Sequence, residues 1–442
     1  MHTQLPASPR PAQYDLQPGP AKPKTTMKND DYAALMAVDW GDKEHAFALR
    51  IAAADSLETG AIAASAEALH DWFDQLGKRC AGRKVALAIE AGRNTLLRAL
   101  LEHPWLAVYP VNPATSARFR RAFTLSGAKD DGPDARVLLT LLEQHRDQLT
   151  RLELDGAQTR ELAALVAARR SAVDQRTQVT NQLRSLLKGF YPQALLLSGD
   201  ELASPLALDF LSRWPELAEV QKARPASVRA FYARHNVRRP ERIEERVALV
   251  ARARPFTTDR AVIEPAILQV RMLVAVLRVQ QTHIATFAER IAAAFAAHPE
   301  AAFFRQLPGA GATLAPRLLV AFGDRRERFP DASSLQKYAG VAPVMEKSGR
   351  QQWIHWRWQA PTFLRQSFVE WAGQTVVYCD WAHVYYDQQR RAGKAHHAVL
   401  RALAFKWIRI LWRCWHDYCL YDEQHYLAAL KQRRSPLAQL VA

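Results

Sequence analysis

The sequence predicts an α/β domain followed by a long helical, coiled-coil-like arm and a mainly α-helical C-terminal domain. Three observations carry that reading. Short apolar runs alternate with helical patterns from Tyr32 to Val111, as they do in an α/β sheet with at least partly parallel strands. The stretch from Thr150 to Leu187 is long, charged and nearly free of Gly and Pro. From Phe304 onward the composition changes, and eight of the twelve tryptophans fall there among many Arg, Lys and His residues.

Residues 1–30 hold Pro6, Pro9, Pro11, Pro18, Pro20 and Pro23 among small polar residues, a composition expected of a flexible tail. Order begins at Tyr32. Tyr32 to Asp39 is a short apolar run ending on a carboxylate, as a buried strand does, and His45 to Ala53 follows as a second strand after the turn Gly41-Asp42-Lys43. Ser65 to Lys78 reads as a helix with Leu69, Trp72, Phe73 and Leu76 on one face. Lys84 to Glu90 is another apolar strand, Asn94 to Glu102 a helix, and Leu106 to Val111 a strand. From Gly132 to about Lys188 the pattern is helical. Residues 195–262 form a second helical patch broken by prolines, and Ile263 to Ala297 is a long helix expected to return antiparallel to the first. The expected domains are therefore 31–150, 151–300 and 301–442.

At 442 residues and 49% hydrophobic, the chain can bury more than one core. Its formal net charge of +16 implies a polyanionic partner, because neutralising phosphates releases condensed counterions. Charge alone names no chemistry. Cys80, Cys379, Cys414 and Cys419 include no CxxC pair, which argues against zinc ribbons and a disulfide framework and fits a reducing cytosol. No apolar run reaches the roughly 20 residues of a membrane span, and the N-terminus lacks a signal peptide's apolar core, so a cytoplasmic protein is expected.

Asp39 and Glu90 each end a predicted strand, where α/β sheets gather functional groups around one crevice. Asp131 and Asp134 lie three apart at the start of a predicted helix and share a face. Four converging carboxylates repel unless a cation holds them, and hard oxygen ligands suit Mg²⁺ or Mn²⁺. Two such ions stabilise the attacking and leaving oxygens of a phosphoryl transfer. Each residue also has a plainer reading: Asp39 as a turn former, Glu90 as a structural strand end, and the helix pair as acids favoured by the macrodipole.

In the C-terminal part, Leu307-Pro308-Gly309-Ala310-Gly311 precedes the apolar helix Leu314 to Phe322. A glycine-rich turn entering a helix presents backbone N–H groups to a phosphate, as in helix-hairpin-helix elements, and it also serves as an ordinary tight turn. Tyr338-Ala339-Gly340-Val341-Ala342-Pro343 leads to Lys347-Ser348-Gly349-Arg350, where spacing alone makes Ser348 a polar turn residue. Lys347 and Arg350 are placed to bring a phosphate near. Trp353, Trp356, Trp358, Trp407, Trp412 and Trp415 alternate with Arg357, Lys406, Arg409 and Arg413. That pattern suits base stacking with phosphate neutralisation, whereas the helical spacing of the last three makes core packing the more frequent explanation for them.

Taken in order, Val38-Asp39, Ala88-Ile89-Glu90-Ala91-Gly92, Val111-Asn112-Pro113 and Lys129-Asp130-Asp131-Gly132-Pro133-Asp134-Ala135 resemble the DEDD insertion-sequence transposases. The resemblance runs from about residue 32 to 430 and extends to the Tyr-Ala-Gly-x-x-Pro stretch, the Ser348-Gly349 pair, Phe363-Leu364-Arg365-Gln366 and Arg391-Ala392-Gly393-Lys394-Ala395-His396. Relatives carry Gly-Asn before the leucine-arginine pair, where this chain has Ala360-Pro361-Thr362. The resemblance implies an RNase H/RuvC-like N-terminal domain with Asp39, Glu90, Asp131 and Asp134 as catalytic metal ligands. Asp130 competes with Asp131, and the spacing to Asp134 favours the latter.

It also implies that Ser348 is the nucleophile of a C-terminal serine domain that cuts and rejoins DNA. Lys347, Arg350, Arg365, Lys394 and Lys406 are the expected phosphate or nucleic-acid contacts, and Arg365 is suited to a bidentate clamp. The implied partners are donor and target double-stranded DNA, a structured guide RNA, and further copies of the chain in a dimer to tetramer. His355 and His396 fit a proton relay or a structural role. The alternatives are a hydrolytic RuvC-like nuclease or junction resolvase that uses only the carboxylates, and a non-catalytic nucleic-acid-binding protein.

Overall fold

The computed structural model describes residues 32–52, 54–90, 96–123, 131–349, 351–355, 357 and 360–440. The Pro-rich segment expected to be a tail lies outside them. The chain divides into two compact units, one ending at Leu154 and the other beginning at Asp155.

The first unit is a five-stranded sheet with helices. Its strands are β1 (Ala34–Asp39), β2 (Glu44–Ile51), β3 (Ala54–Ala63), β4 (Val85–Glu90) and β5 (Leu106–Val111), in the order β3-β2-β1-β4-β5. β1, β2 and β3 pair antiparallel, whereas β4 runs parallel to β1 and β5 parallel to β4. The helices are α1 (Ala66–Arg79), α2 (Leu96–Leu100), α3 (Pro113–Phe123) and α4 (Asp131–His145). Ser65 starts α1 by accepting the Ala68 N–H at 3.2 Å. Asn112 does the same for α3, accepting from Ala114 N–H at 2.8 Å, with Pro113 in the first turn.

The central strands are buried on both faces, and the two faces differ. Met36, Val38, Leu87, Ile89 and Val108 pack with Leu69, Phe73 and Leu76 of α1. On the opposite face Ala37, Ala48, Ala86, Ala88 and Ala107 meet Ala135, Leu138, Leu139, Leu141 and Leu142 of α4. Short methyls there let the α4 backbone lie close to the sheet while interior packing stays dense. Strand β3 and helix α3 were not anticipated from the sequence.

The second unit is helical apart from one hairpin. It opens with α5 (Ala157–Phe190), continues through α6 (Ala194–Leu197), α7 (Pro205–Arg213), α8 (Leu217–Lys222), α9 (Pro225–Arg234) and α10 (Pro240–Arg252), and returns along α11 (Arg260–Ala296). Leu162 and Val166 share a core with Ile291 and Phe295, whereas Leu183 and Leu187 share another with Ile263 and Ile267. The two long helices are therefore antiparallel. The remaining elements are α12 (Ala301–Arg305), α13 (Gly311–Phe322), α14 (Ala332–Tyr338), the hairpin β6 (Val344–Ser348) and β7 (Gln351–His355), α15 (Thr362–Tyr378), α16 (Asp380–Arg391), α17 (His396–His416), α18 (Glu423–Gln432) and α19 (Pro436–Leu440).

Four tryptophans, Trp371, Trp381, Trp407 and Trp415, are fully buried in this C-terminal core. Trp371 Nε1 donates to the Pro308 carbonyl at 2.9 Å, Trp407 Nε1 to Thr375 Oγ1 at 2.8 Å and Trp381 Nε1 to Tyr421 Oη at 2.9 Å, whereas Trp415 Nε1 has no hydrogen-bond partner among the described residues. Trp412 Nε1 likewise donates to the Phe329 carbonyl at 2.9 Å. Core packing therefore accounts for Trp407, Trp412 and Trp415, and base stacking does not. Trp356 and Trp358 lie outside the described residues. No helix among the described residues is long and apolar enough to cross a membrane.

A polar network ties the start of α5 to the residues after α11. Asp324 Oδ2 accepts from the Gly156 N–H at 2.8 Å and from Thr159 Oγ1 at 2.6 Å. Thr159 Oγ1 also lies 2.8 Å from His298 Nε2, and His298 Nδ1 accepts the Glu300 N–H at 3.1 Å. This assigns the neutral ring with its proton on Nε2, inferred from the network. Burial pushes the His298 pKa down, against the opposing pull of Asp324 and Glu300. The folded state then binds fewer protons than the unfolded state. The His298 contribution to stability is complete above the ordinary histidine pKa of about 6.5 and declines as the pH falls below it. Melting temperatures followed from about pH 7.5 to about pH 5 should drop more for the wild type than for His298→Gln, which keeps a donor and an acceptor without titrating.

Candidate active site

The parallel register Val38↔Ile89 leaves Asp39 and Glu90 as the next residue on each of two adjacent strands, which lie about 4.8 Å apart. Side chains alternate along a strand, so Asp39 follows Ala37 and Glu90 follows Ala88 onto the α4 face. Both carboxylates are half-buried. On that face α4 begins with Asp131, and Asp134 is 6% exposed one residue before the fully buried Ala135. Three predicted acids, Asp39, Glu90 and Asp134, thus belong to one face at one end of the sheet. The Asp131 backbone opens the same helix. Asp130 and the Asp131 side chain lie outside the described placements.

Two residues of α3 that sequence reasoning missed complete this end. Ser116, buried, donates its hydroxyl to Glu90 Oε1 at 2.6 Å, and Arg120 Nε lies 2.7 Å from Asp134 Oδ1. They stand four apart, one helical turn, so one face of α3 serves both acids. The findable signal was Asn112-Pro113, an N-cap followed by a first-turn proline, which marks a helix start.

The donor set fits a hard divalent cation, being made of carboxylates and a hydroxyl. Among the described residues no three acidic, His or Cys side chains form a metal-ligand group. Asp134 is engaged with a guanidinium instead, and a buried carboxylate requires such a cation in one form or another.

Ser348 is the last residue of β6 and pairs in register with Gln351, at the exposed end of the hairpin. Gly349 closes the turn with φ +57°. Glu346, Ser348, Trp353 and His355 share one face by strand alternation. Glu346 accepts from Trp353 Nε1 at 2.8 Å and lies 2.8 Å from His355 Nε2. Hydrogen bonds from His355, then from Trp353, hold the Glu346 pKa below its ordinary value. Lys347 is exposed on the opposite face of the hairpin, and Arg350 lies outside the described residues.

The other predicted contacts are scattered over the second unit. Arg365 lies in the first turn of α15 beside Gly340, whose φ is +70°. A Cβ on Gly340 would come within 2.5 Å of Ala360 Cβ, so the Tyr-Ala-Gly turn and the Ala360–Arg365 segment are fitted to each other. Burial lowers the Arg401 pKa and the Arg365 charge adds to the effect, marking a small cationic cluster. Lys394 is exposed after Gly393, and His396 Nδ1 lies 2.8 Å from Tyr386 Oη. Lys406 is half-buried with its ammonium 5.4 Å from the Tyr385 ring centroid, and burial, then Arg409, lowers its pKa.

In the glycine-rich turn, Gly309 has φ +69°, and a Cβ there would lie 2.8 Å from Gln374 Cβ. Packing against α15 therefore requires that glycine.

Two stretches of the chain match families of known proteins. Residues 36–192 match the DEDD family profile described as a transposase, and residues 301–387 match the transposase IS116/IS110/IS902 family. The IS117 mini-circle protein of Streptomyces coelicolor is 29% identical over 415 residues, covering 92% of this chain and 99% of that protein. The insertion element IS900 42 kDa protein of Mycobacterium paratuberculosis is 26% identical over 91% of this chain and 94% of its own length. The insertion element IS110 43.6 kDa protein of Streptomyces coelicolor is 28% identical over 67% of this chain and 73% of its own. The site and the matches together define a transposase with a carboxylate-bearing α/β domain. The chain belongs to the IS110 family of DEDD transposases.

The Arg120–Asp134 pair gives a direct test of the carboxylate end. Arg120→Met removes the cation and leaves a buried charge, so unfolding in denaturant should show a loss of roughly 3 kcal/mol. A loss within error of zero would mean that Asp134 is solvated or already neutral.

Proposed function

We propose that this chain is a DNA recombinase that cuts and rejoins strands through Ser348, assisted by a divalent ion held at Asp39, Glu90, Asp131 and Asp134. The observation that carries the reading is the placement of Asp39 and Glu90 at the ends of adjacent parallel strands, on the face where α4 presents Asp134. The strand order, three antiparallel strands continued by two parallel ones, supports an RNase H/RuvC-like assignment for this unit.

The bound Mg²⁺ or Mn²⁺ would neutralise phosphate charge as it grows in the transition state. Ser348 Oγ attacks the phosphorus, the serine–phosphate bond forms, and the bond to one DNA oxygen breaks. The serine proton goes to a base, and the leaving oxygen takes up a proton. His355, bonded to Glu346 on the serine's own face of the hairpin, is the candidate imidazole for the first transfer once the complex brings it within reach of Ser348. A hydroxyl of the second strand then attacks the phosphoserine and restores Ser348. Arg120 would exchange Asp134 for the phosphate or yield it to the ion. Lys347, Arg350, Arg365, Lys394 and Lys406 supply cations along the nucleic acid.

Two further parts of the reading concern partners. The net charge of +16 supports a polyanionic partner, and the structured guide RNA alongside donor and target DNA rests on the family resemblance alone. Leu268, Met272, Val276 and Val279 are exposed on α11 at helical spacing, which supports self-association through the arm into a dimer or tetramer. The exposed hairpin position of Ser348 suits a composite site in which one protomer's serine meets another's carboxylates.

A hydrolytic reading rests on one observation. Among the described residues no side chain hydrogen-bonds the Ser348 hydroxyl, so a water activated at the carboxylates could replace it. The deciding experiment expresses the protein with its flanking DNA, denatures the complex and seeks a Ser348–DNA adduct by peptide mass spectrometry. The adduct should be lost in Ser348→Ala, and strand exchange in Asp39→Ala should fall by roughly three orders of magnitude. Nicking that persists in Ser348→Ala, with no adduct in the wild type, would establish the hydrolytic enzyme instead.

A further inference from the structure

A cavity of about 180 Å³ opens where α5, α11, α13 and α15 meet. Its walls are apolar, including Val166 and Val173 of α5 and Ile291 of α11, and three arginines, Arg169, Arg170 and Arg317, stand around it. Ala312 and Thr313 also line it, in the first turn of α13, a 12-residue helix whose N-cap Ala310 provides no side-chain cap. The N–H groups of that turn and the positive end of the helix are open to an anion.

Arg317 is the central observation. Its side chain is 10% exposed, its Nε donates to Ser367 Oγ at 2.9 Å and its Nη1 to Glu370 Oε2 at 2.7 Å. The guanidinium lies 4.6 Å from the Phe363 ring centroid, and Arg170 lies over the same ring at 5.3 Å. The remaining nitrogen, Nη2, is buried with no acceptor among the described residues. An unmatched buried donor is costly, and the surrounding structure holds this one rigidly in place. Burial lowers the Arg317 pKa, and Arg170 and Arg169 push in the same direction.

The charges do not balance. Arg170 is paired with Asp174 at 2.9 Å and Arg317 with Glu370, whereas Arg169 has no ion pair among the described residues. Three guanidiniums face two carboxylates, leaving one positive charge, a buried donor and an uncapped helix start. A tetrahedral phosphate offers oxygens in several directions and can accept from donors that do not share a plane. A planar carboxylate matches them less well.

We propose that this cavity binds a backbone phosphate of a nucleic-acid strand, through Arg317 Nη2, Arg169 and the first-turn N–H groups of α13, with the attached sugar against Val166, Val173 and Ile291. The choice of nucleic acid rests on the reading of the chain as a DNA-processing enzyme. The anion site itself does not.

The test uses the full chain. Fluorescence anisotropy with a labelled DNA duplex from the element's end, repeated across salt concentrations, compares the wild type with Arg169→Gln, a change at a half-buried, unpaired side chain. Arg169→Gln should weaken binding roughly tenfold and lower the salt slope by about one. Inorganic phosphate should raise the melting temperature of the wild type, and less so that of Arg169→Gln and of Arg317→Gln. Unchanged affinity and slope in Arg169→Gln would overturn the proposal. An equal thermal shift from acetate would overturn it too, in favour of a protein carboxylate as occupant. If the wild type binds no DNA, yet phosphate stabilises it through Arg169, the anion site stands and the nucleic-acid assignment falls.

Discussion

Parallel pairing of β1 with β4 is the constraint on which the candidate site depends. Once Val38 and Ile89 are in register, Asp39 and Glu90 must emerge side by side, and alternation sends both to the face that α4 covers. The alanines of that face then decide how near the helix can come. Larger side chains at Ala37 or Ala88 would lift α4 and carry Asp134 away from the strand ends. The price of the arrangement is electrostatic, since acids gathered at a buried edge need compensating partners. Helix α3 supplies them from one face: the Ser116 hydroxyl to Glu90 and the Arg120 guanidinium to Asp134. In the proposed mechanism both partners would exchange, a phosphate drawing off the arginine and a cation taking over the acids.

How much of this was legible in the sequence depended on whether the deciding contact was local. β1, β4 and β5 were legible because burial on both faces demands an uninterrupted apolar run, and the acids that end β1 and β4 stood out against it. β3 was not, because Ala54–Ala63 pairs along one side only, is largely exposed, and carries Asp55, Glu58 and Thr59 with no apolar run. The hairpin escaped for the same reason, as only the chain around it is buried. The first long helix was read from a charged stretch nearly free of Gly and Pro, and the second was read as a long helix despite Pro265. Ser116 and Arg120 were illegible as site residues because their partners lie on β4 and α4, and nothing local distinguishes them from a solvated helix face. The tryptophans carried two readings: their cationic neighbours suited a nucleic-acid surface, the helical spacing of the last three favoured core packing, and burial of Trp407 and Trp415 bears out the second.

The second unit answers a different physical problem. A hairpin of two long helices buries only a narrow seam, so it cannot hold itself together along its whole length. Here each end is fastened to a core of its own: α6 to α10 wrap one end, and the C-terminal helices enclose the other. Between them the central residues of α5 are half-buried or exposed, and α11 keeps an apolar row on its outer side. At the C-terminal end, the polar network of Asp324, Thr159 and His298 fixes where α5 starts relative to the end of α11. That fixation matters to the arginine cavity, whose walls come from the same stretches of α5 and α11.

The contrast between the two kinds of functional group constrains how the proposed chemistry could run. The carboxylates are half-buried or buried at the strand ends, with Asp134 beside a guanidinium and Glu90 accepting a hydroxyl, which suits electrostatic stabilisation by groups held in place. Ser348 is the reverse, exposed at the end of β6 with no described residue hydrogen-bonded to its hydroxyl. A serine so placed gains nothing from desolvation by its own protomer, and any phosphoester it formed would stand open to water. Rejoining rather than hydrolysis then requires that the bound nucleic acid, or another protomer, cover the hairpin before the serine reacts. Such an order would protect the chain's own chemistry, because the nucleophile would be competent only inside an assembled complex, where the second strand is already present to receive the phosphate.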